Sequence, residues 1–172
     1  MDYEYSHELD APIDTVELAL MSPELAPELL ARVDSMAAID VVSHDVTDDR
    51  ITRTWRFEAK APLKILAAYE VTRDMMIWDE VWDYNRVTHV ASFHIVPRPG
   101  VDPDAPWRKR IDAGGRYQLD PLGDGRSRRT VVGHMNVGWR VIGPMVERLA
   151  LAELRKAYAA EAEALQSLCS LV

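Results

Sequence analysis

Cysteine is almost absent from this chain: Cys169 is the one thiol in 172 residues. A single sulfur excludes an internal disulfide framework and leaves stability to the apolar core. Long apolar runs are missing too, and none approaches the roughly 18 residues of a membrane-crossing helix. The opening Met1-Asp2-Tyr3-Glu4 is acidic and lacks the basic and apolar regions of a signal peptide, so a cytoplasmic protein is the expectation. Positive charge is not in excess. The formal net charge of −8 argues against a nucleic-acid partner, because neutralising phosphates takes a basic surface. Catalytic signatures are also lacking: there is no Gly-x-Ser-x-Gly elbow, Gly-rich phosphate loop, His-Glu-x-x-His or Cys-x-x-Cys. The five histidines, His7, His44, His89, His94 and His134, fall on separate strands or on opposite faces of one. A metal site needs at least three converging ligands. No metal, no cofactor and no catalytic residue is therefore expected.

What is present suits a folded globular protein, with 48% hydrophobic and 28% charged residues in a length that fits one domain. Charge is unevenly spread. Residues 1–50 hold thirteen acids against two bases, whereas residues 98–129 hold eight bases against five acids. The basic stretch is either solvated surface or a face for an anionic partner.

The most regular stretch is the last. After Gly143-Pro144 there is no further Gly or Pro, and Ile142, Met145, Val146, Leu149, Ala152, Ala157, Ala160, Ala164, Leu165 and Leu168 form an apolar stripe at helical spacing. Glu147, Arg148, Arg155, Lys156, Glu161 and Glu163 are assigned to the opposite side. A helix over 142–168 would be roughly 40 Å long and must lie along something. The preceding segments supply it. Residues 2–9 alternate as a strand, Pro12 and Ser22-Pro23 open two short helices, and alternating segments follow at 36–46, 51–59, 76–84, 87–96, 110–119 and 128–139. Leu63, Leu66, Ala67 and Glu70 suggest a short helix within 62–73. Pro97 to Pro106, with four prolines in ten residues, reads as a loop, and 121–125 as a turn. The order is β-α-α-β-β-(α)-β-β-β-β-α, an α+β chain whose long helix packs on a curved antiparallel sheet.

This order, with the opening "HELDAPIDTVELAL" in which a strand runs through Asp10-Ala11-Pro12 into a helix, resembles the START-like (SRPBCC) superfamily. Residues 62–82, with Pro62, Glu80 and Trp82, look like a bacterial branch of it, a domain of unknown function. The resemblance covers nearly the whole chain. It implies the helix-grip fold, with an apolar cavity between helix and sheet, and a hydrophobic small molecule, lipid or polyketide-like, as the ligand.

Alternation places Tyr5, Trp55, Phe57, Trp82, Phe93, Tyr117, Met135 and Val137 on the concave face, joined by Met145 and Leu149 from the helix. They either fill a core or line a ligand cavity. Arg53 and Glu80 interrupt the apolar rows in inward phase, and each is the other's nearest candidate partner. Such a pair would give an apolar pocket one polar anchor. Binding or transport of an apolar molecule is the preferred reading. An enzyme of the cyclase or dehydratase kind would require a buried ionisable residue beside a substrate-sized cavity, and a protein-interaction domain would have a filled core. Trp107 with Arg108-Lys109-Arg110 raises transient contact with an anionic membrane surface as a further partner reading.

Overall fold

The computed structural model describes residues 1–60, 72–97, 104–140 and 143–171. Strand β1 (Asp2–Leu9) ends just before Pro12, and helix α1 (Ile13–Met21) begins directly after that proline. Proline has no N–H to leave unsatisfied in a first turn, and Asp14 favours the positive end of the helix. Ser22 Oγ accepts the Glu24 N–H at 3.2 Å, and α2 (Leu25–Leu30) follows. Then come β2 (Met36–Val46), β3 (Arg50–Ala59), β4 (Ile77–Asn85), β5 (Val90–Pro97), β6 (Ile111–Gly123), β7 (Arg126–Val137) and the 27-residue α3 (Gly143–Cys169). The α+β order read from the sequence holds. Most of the short helix expected at 62–73 lies outside the described residues, as does most of the proline-rich loop.

Two boundaries differ from the sequence reading by three or four residues, each for a local reason. Pro121-Leu122-Gly123 belong to β6, with Pro121 opposite Ser127, and the reversal takes Gly123, Asp124 and Gly125 at φ of 82°, 51° and 72°. Strand β5 starts at Val90 rather than Val87. Asn85 Oδ1 accepts the N–H groups of Val87 and Thr88, both at 2.9 Å, and so widens the turn before it.

All seven strands form one antiparallel sheet in the order β1-β7-β6-β5-β4-β3-β2. It curves around α3 as a helix grip. Gly115 and Gly133 face each other across β6 and β7, where the backbones come close: a Cβ at Gly115 would sit 2.2 Å from the Val132 carbonyl oxygen. A side chain at either position would force this part of the sheet apart.

The packing differs along the length of α3. Its second half buries Ala160, Ala164, Leu165 and Leu168 among Val16, Leu20, Leu25 and Leu29 of the two short helices. Beneath α1 the buried Glu17 accepts hydrogen bonds from Tyr84 Oη at 2.9 Å and Arg86 Nε at 3.1 Å, with His89 Nδ1 at 3.0 Å. That end is closed and cross-tied. The first half of α3 is only half-buried and overhangs the opposite end of the sheet.

A candidate ligand cavity with a charged inner end

Under the first half of α3 lies a cavity of about 510 Å³, inside the roughly 300–1,000 Å³ range of small-molecule sites. The helix presents Val146, Leu149, Ala150, Glu153, Leu154, Ala157, Tyr158 and Glu161 to it, a stripe at i, i+3, i+4 and i+7 spacing. Alanines at 150 and 157 leave space that leucines would occupy. The sheet contributes an aromatic wall of Trp55, Phe57, Trp78, Trp82 and Phe93, with Phe57 and Trp78 stacked at 5.7 Å between centroids.

Of the residues placed inward from the sequence, Arg53, Trp55, Phe57, Glu80, Trp82, Phe93, Tyr117, Met135, Val137 and Leu149 line this cavity. Tyr5 and Met145 do not. Tyr5 packs on Tyr3 at 5.4 Å and Tyr158 at 5.6 Å, and its hydroxyl donates to the Leu151 carbonyl at 3.1 Å. It closes the joint between β1 and α3, while Tyr3 reaches the cavity instead. Met145 lies one position before the stripe that starts at Val146, so it turns away by the pitch of the helix.

Arg53 and Glu80 both point to the concave side, with Arg53 Nη2 3.8 Å from Glu80 Oε1. The closer acid is Glu161, whose Oε1 is 3.4 Å from the same nitrogen. Glu161 Oε2 in turn accepts from Arg129 Nη1 at 2.6 Å. Arg129 is wholly buried, donates to the Tyr158 carbonyl and lies 3.3 Å from His7 Nδ1. Assigning Glu161 to the solvent side is therefore wrong: it stands four residues after Ala157 and four before Leu165, on the buried stripe. Arg129 shares the alternation phase of Val131 and Met135, and that phase is the sequence signal that points to it.

The result is two guanidinium groups and two carboxyls gathered at the inner end of an apolar chamber. Arg53 is 3% exposed and rests against indoles, its Cζ 3.9 Å from the Trp55 centroid and 4.4 Å from that of Trp82. Among the described residues, Arg53 Nε and Nη1, Trp55 Nε1 and Tyr117 Oη have no hydrogen-bond partner. Burial pushes the Glu80 carboxyl up to about 7, against the pull of Arg53 and with a further push from Glu161. Burial also raises the Tyr117 and Tyr158 hydroxyls and lowers His7, a direction that Arg129 reinforces at His7. A neutral imidazole can then accept from Arg129.

With this geometry established, sequence comparison gives the family. The profile described as "Protein of unknown function (DUF2505)" matches residues 4–168. The chain belongs to that family. No curated protein matches the chain. The DUF2505 fold is similar to solved structures along its full length. A protein of Thermus thermophilus has 14% identity and a TM-score of 0.65, covering 99% of this chain and 98% of that one. The Zhui aromatase/cyclase from a Streptomyces species has 11% identity and a TM-score of 0.64, covering 99% and 93%. A START superfamily protein from Mycobacterium smegmatis has 14% identity and a TM-score of 0.57, covering 97% and 98%. At such identities the likeness is one of fold, and the fold is START-like.

Proposed function

We propose that this protein binds or carries a hydrophobic small molecule in the chamber between α3 and the sheet. The observation that carries the reading is the chamber itself: about 510 Å³, walled mostly by aromatic and aliphatic side chains, with Arg53, Glu80 and Glu161 gathered at its inner end. A lipid chain or a polyketide-like ring system suits such walls. Native mass spectrometry after mild purification tests occupancy. Replacing Ala157, which lines the chamber from α3, by Phe should leave the protein folded and abolish the retained mass. Retention of the same adduct by Ala157→Phe would remove the chamber from consideration.

A second reading, an enzyme of the cyclase or dehydratase kind, is favoured by one feature. Glu80 lines the chamber with a carboxyl held near 7, which suits a group that gives and takes protons at neutral pH. Loss of turnover with retained binding in Glu80→Gln would separate this reading from a simple carrier.

Entry has a proposed place as well. Trp107 lines the chamber, and the neighbouring Lys109 and Arg110 are exposed, an arrangement suited to brief contact with an anionic membrane. Liposome co-sedimentation should show binding to anionic and not to neutral vesicles, and equal partition would reject the contact.

A further inference from the structure

Resting on the binding reading, the charged end of the chamber can be assigned a ligand chemistry. We infer that the ligand is an apolar molecule ending in a carboxylate, which takes the place of ionised Glu80 as the partner of Arg53 while Glu80 keeps its proton. Three observations converge on this. Arg53 is almost wholly buried, yet its carboxylate neighbours stand at 3.4 and 3.8 Å, long for charge-assisted hydrogen bonds. Its Nε and Nη1 have no partner among the described residues, and neither does the adjacent Tyr117 hydroxyl. Every one of these groups can donate, so the guest best suited to them brings acceptor oxygens.

The charge balance sets which acceptor. Arg53 and Arg129 are opposed by Glu161 and Glu80. With Glu80 ionised the cluster is neutral and has no need of an anion. With Glu80 protonated it carries one net positive charge inside an apolar chamber, where a bare charge is costly and an anionic guest offsets it. Among the described residues, the groups around Glu80 leave it alone in position to make this exchange. Arg53 approaches from β3, Glu161 and Tyr158 from α3, and Tyr3 from β1, while Tyr117 on β6 and Arg129 and His7 lie behind Glu161 and Arg53. His44 on β2 stands opposite Arg53, and burial and that cation both disfavour its protonated form. Arg129 does not line the chamber, and its Nη1 and Nη2 donate to Glu161 and the Tyr158 carbonyl. A guest carboxylate and a protonated Glu80 can share that proton, an arrangement two ionised carboxylates could not adopt.

The consequence is proton uptake coupled to binding. Burial already holds the Glu80 proton to about pH 7, so above that pH the affinity for a carboxylate ligand should fall about tenfold per pH unit. The test uses the purified protein with dodecanoate, dodecanol, dodecylamine and acetate, followed by titration calorimetry and tryptophan fluorescence. Dodecanoate should bind at least tenfold more tightly than dodecanol below pH 7. Calorimetry in buffers of differing ionisation enthalpy should show close to one proton taken up per dodecanoate above that pH. Dodecanol should show no uptake, and acetate no measurable binding, because it lacks the tail. In Glu80→Gln the pH dependence for dodecanoate should disappear; the wild-type buffer comparison stands even if that variant fails to fold. Equal binding of dodecanoate and dodecanol, tighter binding of dodecylamine, or dodecanoate binding without proton uptake would overturn the carboxylate assignment and leave the binding reading intact. Failure of all the tailed probes to bind would overturn both.

Discussion

Replacing Glu161 by Ala should lower the unfolding free energy by about 3–5 kcal/mol, the usual cost of leaving buried charge without its counter-charge. The large effect comes from Glu161 serving two arginines at once, Arg129 at 2.6 Å and Arg53 at 3.4 Å. Arg129 is wholly buried and Arg53 nearly so, so water cannot substitute for the lost carboxylate. Chemical denaturation of wild type and variant measures the difference. The paired replacement Glu161→Leu with Arg129→Met should recover much of the loss, since a buried ion pair can often be exchanged for apolar packing at little cost. A single variant within about 1 kcal/mol of wild type, a size typical of exposed ion pairs, would show that the cluster is hydrated.

The second large effect is a dependence of stability on pH. The Glu80 carboxyl is raised from 4.5 to about 7, chiefly by burial. The folded protein therefore holds this proton more tightly than the unfolded chain does. Below pH 4.5 both states are protonated and the group adds no penalty. As pH rises toward 7 the unfolded chain ionises freely while the folded one resists, so stability falls, and above 7 the full penalty is present. The size is about 3 kcal/mol. This runs opposite to the behaviour of a salt-bridged surface carboxylate such as Asp83, whose affinity for its proton is lowered by Arg50. Glu80→Gln should flatten the slope between 4.5 and 7, and denaturation midpoints across that window give the comparison directly. If the two proteins kept parallel profiles, Glu80 would not be the titrating group.

Much of this fold is legible in periodicity. Strands β3 and β4 alternate so regularly that phase alone places Arg53, Trp55, Phe57, Glu80 and Trp82 on the concave side. The inner end of the chamber is harder to read. Arg53 and Glu80 carry the same phase, but phase says nothing of distance, and the tighter acid comes from a helix more than 100 positions away, since Arg53 and Glu161 are 108 residues apart. In the sequence Glu161 reads as solvent-facing because its charge outweighs its place on the stripe between Ala157 and Leu165. Tyr3 and Tyr5 share a phase and are not separable by alternation. The difference between them rests on Gly133, whose missing side chain gives the Tyr3 ring room: a Cβ there would sit 2.5 Å from it.

The charged cluster also bears on the order of events in folding. Its four members stand at 53, 80, 129 and 161, and β1 pairs with β7, so the chamber is built from contacts of long sequence separation. The β3–β4 pairing that brings Arg53 and Glu80 together can form while both still reach water. Glu161 arrives only when α3 docks, and that is the step that seals the arginines away. Docking of α3 would thus be gated by charge: a helix out of register by one residue would bury Arg129 without its anion and leave Arg53 only the more distant Glu80. A loss at Glu161 should consequently appear in the unfolding limb of a chevron far more than in the folding limb. The same four residues that give the chamber its polar end would make its closure the last, self-correcting step of assembly.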